Sequence, residues 1–347
     1  MMNSQTLFDK IANSVDRFAA IDCLKNELSK EFVEDLNATS LQLAQEGNCP
    51  DALNVNDWAL HCLKYLDVPL LKAHTYFNRA QFEKNSGDSK EATESYGKAL
   101  LLYEMHGPPE DILDCAAGLL TILEEENDKQ EIVKVAERAL EKSGITQSGQ
   151  LSGAVKNGLL QIGQILMVQD ETKLAKICFD GILQLSRQLG DIESEAEACG
   201  NLAEIYTEED DLDNARAILR RALELDLLLN NVKLQIVDLA NIGNLLYKQG
   251  KLNEAAANYS ECISLRDQED YTQGIENDLY HFYHICHYLG RRKEALELFN
   301  RYQQFVSGDP LSIIAYYLVL DEKGRKTGGK EMVSFPEAYM ETEVCKK

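Results

Sequence analysis

A small residue recurs every 40 positions along this chain of 347 residues, at Ala175, Ala215, Ala255 and Ala295. Five positions before each stands a turn former, Asp170, Asp210, Gly250 and Gly290. Four positions after each stands a large apolar or aromatic residue, Phe179, Leu219, Tyr259 and Phe299. An earlier set keeps the same period, with turns at Gly47, Gly87 and Asn127, then Ala52, Ala92 and Ile132, then Ala59, Ala99 and Ala139. Three extra residues in the Ser- and Gly-rich stretch from Ser143 to Gly153 separate the two sets. A fixed period of this length marks an array of supersecondary units, each burying its apolar face only on its neighbours. Length therefore sets no limit on the size of the domain. The spacing predicts two antiparallel helices per unit, with small residues at the close crossings and large ones filling the facing holes. The expected architecture is all-α, a solenoid of about seven hairpins. A half repeat or capping helix is expected over residues 1–32, three repeats over 33–152, four over 153–310, a capping helix over 311–321 and a flexible tail over 322–347.

The stretch Ala198-Cys199-Gly200-Asn201-Leu202-Ala203, with Tyr206, Ala215 and Ala222-Leu223, resembles the tetratricopeptide repeat (TPR). So does Ala240-Asn241-Ile242-Gly243-Asn244, with Lys248-Gln249-Gly250, Glu254-Ala255 and Tyr259. A 40-residue unit with a Leu189-Gly190-Asp191 link is similar to kinesin light chains, to the Pins-type regulators of G-protein signalling and to bacterial Rap-type regulators. The likeness runs from about Leu36 to Tyr302. It implies a right-handed superhelix with capping helices at both ends, whose concave wall is lined by the first helix of each hairpin. It also implies that the residue just before the apolar–small pair points into the groove.

In this sequence that column reads Asn78, Gly118, Gln161, Asn201, Asn241 and His281, and one turn further Gln81, Thr121, Gln164, Glu204, Asn244 and His284. A primary amide donates and accepts at once, as reading a peptide backbone requires. The same amides, bonded locally, would only hold the stack. Tyr247 and Tyr280 are either aromatic anchors for a ligand or ordinary packing between repeats. The function implied is an adaptor that binds a peptide or protein segment in the groove. The alternative is a peptide-sensing regulator that switches a second partner. Rap-type action on a phosphoprotein needs an N-terminal helical bundle, for which only about 30 residues precede the first full repeat.

The balance of 58 acidic against 35 basic residues, net -23, argues against nucleic acid or an anionic membrane as partner and suits a neutral or basic protein segment. Nine cysteines without a C-x-x-C read as small core residues in a reducing compartment. The longest apolar run, Leu311 to Leu320, is half a membrane span, and the N-terminal stretch lacks the basic flank and apolar block of a secretory signal, so a cytoplasmic protein is expected. No nucleophile elbow, phosphate loop or metalloprotease motif is present, and neither catalysis nor a cofactor is expected. His281, His284 and His287 lie three apart, where two could bridge a metal, but further ligands are wanting, so groove lining or packing is the expectation. The acidic runs Glu124–Asp128 and Glu208–Asp211 are expected at solvated turns.

Overall fold

The computed structural model describes residues 3–144 and 153–305 and, for the backbone alone, 314–320 and 326–334. Two compact units divide the chain, Met1–Glu209 and Asp210–Lys347. The first unit holds α1 (Ser4–Ala12), α2 (Arg17–Cys23), α3 (Lys30–Gln45), α4 (Cys49–Cys62), α5 (Pro69–Ser86), α6 (Ser89–His106), α7 (Pro109–Glu125), α8 (Lys129–Ser143), α9 (Gly153–Val168), α10 (Thr172–Leu189) and α11 (Ile192–Glu208). The second holds α12 (Leu212–Leu228), α13 (Val232–Lys248), α14 (Leu252–Gln268), α15 (Ile275–Tyr288), α16 (Arg292–Phe305), β1 (Ile314–Leu320) and β2 (Lys326–Ser334). Within the units the helices pack as consecutive antiparallel hairpins: α3 with α4, α5 with α6, α7 with α8, α9 with α10, α13 with α14, and α15 with α16.

The turns that divide first from second helices fall where the 40-residue frame places them. Gly47, Gly87, Gly250 and Gly290 take φ between 71° and 86°, and Asn127, Asp170 and Asp210 take 58° or 59°. A left-handed residue there lets the next N–H groups return to orphan carbonyls of the preceding turn, as Lys251 N–H does to Leu246 at 2.9 Å. Helix starts are fixed by side chains that accept from the first free N–H groups: Asp128 from Glu131, Asp191 from Ser194, Asp211 from Asn214 and Asn231 from Leu234.

The close crossings follow from side-chain size. A Cβ on Gly163 would stand 2.9 Å from the Phe179 ring, and one on Gly243 would stand 2.7 Å from the Tyr259 ring. Ala175, Ala215, Ala255 and Ala295 are fully buried at the equivalent crossings. At the N-terminal end, Leu7, Ile11 and Ile21 of α1 and α2 join Phe32, Leu36, Trp58 and Ala59 in one apolar cluster over the first hairpin. The seam is closed by Asp22, which accepts from Tyr65 at 2.7 Å and contacts His61 Nε2 at 2.6 Å.

The expected C-terminal capping helix is not present over its described residues, 314–320. Residues 314–320 are instead a strand, paired antiparallel with β2 so that Ile314 faces Ser334, Tyr316 faces Met332 and Leu318 faces Lys330. Ile-Ala-Tyr-Tyr-Leu-Val-Leu is rich in β-branched and aromatic residues and has no 3.6-residue periodicity, so it suits a pleated chain better than a helix. The tail expected to be flexible from 322 contributes β2 over 326–334; the rest of it, like the insertion over 145–152, lies outside the described residues. Among the described residues no helix is long and apolar enough to cross a membrane.

Candidate protein-interaction face

In the first unit the predicted column runs over α5, α7, α9 and α11, and its members differ in availability. Asn78 is buried, so it packs inside the stack and does not offer its amide to a ligand. Gln81 is half-buried. Gly118 leaves room for the Tyr96 ring, which a Cβ would approach to 2.8 Å. Thr121 and Asn201 turn back on their own helices, donating to the carbonyls of Ala117 and Glu197 at 2.9 Å each. Gln161, Gln164 and Glu204 are exposed. One turn N-terminal to Gly118 stands Asp114, whose carboxyl is pushed up by burial and then by the charge of Asp111. This unit carries 36 Asp and Glu against 18 Lys and Arg, so its surface is strongly acidic.

The second unit brings its candidate residues together on two adjacent helices. On α13, Leu234, Val237, Asn241, Asn244 and Lys248 are spaced by three and four, which sets them along one face. Leu234 and Val237 are each 43 % exposed and stand on the same face of the helix as the amides. Asn241 is exposed, whereas Asn244 Oδ1 accepts from the Tyr259 hydroxyl at 2.6 Å and so also fastens α13 to α14. Beside them α15 presents Tyr280, His281, His284 and Tyr288, all half-buried. Their rings form a continuous aromatic surface. Tyr280 lies 4.4 Å from His284, 5.5 Å from His281 and 5.9 Å from Tyr302, and Tyr247 lies 6.3 Å from Tyr288.

Burial controls the charge of this surface. It lowers His284 to about 4, with His287 and His281 adding to the effect, and it lowers His281 against the opposing pull of Asp278. Burial, then Tyr288, raises Tyr247 to about 12. The surface is therefore neutral near physiological pH and offers faces and hydroxyls. Cys286 is fully buried on the other side of α15. No group of three or more His, Cys, Asp or Glu among the described residues is placed to hold a metal ion.

Leu234, Val237 and Tyr288 did not emerge from the sequence. The signal was there, since each continues the column of Asn241 or His281 by one or two turns. Forty residues before Leu234 and Val237 stand Ser194 and Glu197, and forty residues after them stand Gly274 and Asn277, so neither neighbouring repeat puts large apolar residues at those places.

Stacked two-helix units with small residues at their crossings define a class, the helical-repeat proteins. The chain carries tetratricopeptide repeats: the tetratricopeptide repeat family matches residues 73–104, 196–227 and 239–269. Among solved structures, the apo form of RapI is similar at a TM-score of 0.54 and 14 % identity, over 87 % of this chain and 85 % of that one. A STAND protein with a tetratricopeptide repeat sensor, from Pyrococcus horikoshii, matches at 0.54 and 15 % identity, over 87 % of this chain and 48 % of its own. BtubC (BKLC) from P. vanneervenii matches at 0.47 and 19 % identity, over 65 % and 92 %. At these identities the likeness is one of fold. No curated protein matches the chain.

Proposed function

We propose that the chain is an adaptor, and that a protein or peptide segment binds along the α13–α15 face of its second unit. Tetratricopeptide repeats imply protein–protein interaction in general; the assignment to this face is carried by one observation. Leu234 and Val237 are exposed apolar residues in line with Asn241, beside a neutral aromatic surface. An apolar contact at one end, an amide able to meet backbone in the middle and flat aromatic area at the other make a stripe for an amphipathic segment. Aromatic residues supply large contact area at low entropy cost, and the amide adds orientation worth about 0.5–1.5 kcal/mol per bond. The exposed Gln161, Gln164 and Glu204 of the acidic first unit favour a neutral or basic segment there.

The test is affinity capture from native lysate with wild type and with Val237→Asp/Asn241→Ala, after circular dichroism shows that the variant keeps its helices. Selective loss of one partner supports the α13 stripe and names the partner. Survival of every partner sinks it. Small-angle scattering of the captured complex then separates adaptor from peptide sensor: an unchanged radius of the chain fits the former, compaction the latter.

A further inference from the structure

Forty residues apart, two junctions between repeats hold the same positions with different chemistry. Where α14 meets α15, Arg266 Nε and Nη2 lie 2.7 and 2.5 Å from Asp278 Oδ2, with both side chains buried. Cys262 Sγ also points to Asp278, and Arg266 Nη1 donates to the Gln273 carbonyl at 2.7 Å. Where α12 meets α13, Asp226 occupies the place of Arg266 and Asp238 that of Asp278. These two are 2 % and 6 % exposed. Each carboxyl lies against the other, while Asp226 Oδ1 and Asp238 Oδ2 are buried with no hydrogen-bond partner. Gln235 Nε2 donates at 2.9 Å to the main-chain carbonyl of Asp226 and leaves its carboxyl unserved.

An ionised carboxylate only accepts hydrogen bonds, so two of them in contact need a hydrogen between them. Burial and like charge both disfavour the doubly ionised pair. We propose that Asp226 and Asp238 hold α12 to α13 through one shared proton, and that its loss loosens α13.

Burial first, and then the charge of Asp226, pushes Asp238 up to about 8; burial also raises Asp226. From the other packed helices, α14 brings Cys262, whose Sγ also lies 3.5 Å from the Ile236 carbonyl, and Arg266, which is committed to Asp278 of α15. The folded pair thus keeps a proton that the unfolded chain releases at the ordinary carboxyl value of 3.8. Because the folded state binds more protons over that interval, stability falls as pH rises through it. Above the upper limit the folded junction itself carries two buried charges.

The experiment compares melting of ligand-free full-length wild type and Asp238→Asn between about pH 6 and about pH 9. Asn keeps the shape of the acid and donates an N–H to Asp226 whatever the pH. The expected result is a wild-type melting temperature that falls across this range and a variant that falls less, with the gap widening toward high pH. Parallel curves overturn the shared proton. Should the variant not fold, Asp226→Asn makes the mirror comparison. Infrared spectroscopy of wild type reads the proton directly: a protonated-carboxyl C=O band is expected at neutral pH and lost in alkali, and its absence at neutral pH overturns the proposal.

α13 also carries Leu234, Val237 and Asn241, so affinity for a segment bound there is expected to fall in alkali for wild type and not for Asp238→Asn. This last effect rests on the function proposed above. Melting and infrared results as expected, together with an affinity indifferent to pH, would leave the proton in place and count against the α13 stripe as the binding face.

Discussion

Gly243 is glycine because Tyr259 fills the space where its side chain would be. A Cβ there would stand 2.7 Å from the ring, and the Tyr259 hydroxyl, fixed on Asn244, resists moving aside. Gly200 sits inside α11 with nothing within 4 Å of the same position. The same substitution should therefore act in opposite directions. Gly243→Ala is expected to destabilise by about 1–3 kcal/mol through overpacking. Gly200→Ala is expected to stabilise by about 0.5–1 kcal/mol through helix propensity. Urea unfolding of the two variants against wild type checks the signs. The same locality explains what the sequence could reveal. Left-handed turns at Asn127, Asp170 and Asp210 were legible from their period, since φ at a helix end is set by the chain on either side. The fates of Asn241 and Asn244 were not. They lie one turn apart on one helix, yet Asn244 meets a tyrosine from α14 and Asn241 meets solvent, and only the packed neighbour makes that difference.

Between elements, much of the holding is done by polar contacts that a repeat frame does not predict. Removing one partner of the buried Arg266–Asp278 pair leaves the other charge desolvated, so Arg266→Ala is expected to cost about 3–5 kcal/mol, while Arg266→Met/Asp278→Leu costs much less. A double-mutant cycle by thermal or urea unfolding measures both. At the N-terminal end, hydrogen bonds first from Tyr65 and then from His61 hold the Asp22 carboxyl below its ordinary value. A carboxyl depressed in the folded state contributes above its unfolded value and is lost as pH falls through the folded one. Asp22→Asn, or acid below the ordinary carboxyl value of 3.8 on wild type, is thus expected to free α1 and α2 before the hairpins open, seen as faster amide hydrogen exchange confined to residues 4–23. Unchanged exchange there would mean that Leu7, Ile11 and Ile21 suffice without the polar seam. The C-terminal element shows the limit of pattern reading from the other side. A run from Leu311 to Leu320 is apolar enough for a cap, but over its described part, residues 314–320, β-branched and aromatic content pairs it with β2 as a strand.

For the whole chain, the period fixed the fold class, because an array of like units admits few other architectures, whereas the ligand does not follow from the fold. Charge is the whole-molecule property that constrains the ligand. A net charge of -23 repels itself, and residues 1–209 hold twice as many acidic as basic groups. Two opposite salt dependences should follow. Screening shortens electrostatic reach from roughly 14 Å at low salt to a few ångström at high salt, so the melting temperature of the free chain is expected to rise with added salt. A basic segment drawn to the acidic first unit should bind more weakly over the same range, because screening removes the attraction that steers it. A segment held by Leu234, Val237 and the rings around Tyr280 should bind as well or better, since burial of apolar area is not screened. Titrating one captured partner at two salt concentrations, by calorimetry, therefore assigns it to one unit or the other. Weaker binding at high salt that survives Val237→Asp places the segment on the acidic unit, and salt-insensitive binding abolished by Val237→Asp places it on α13.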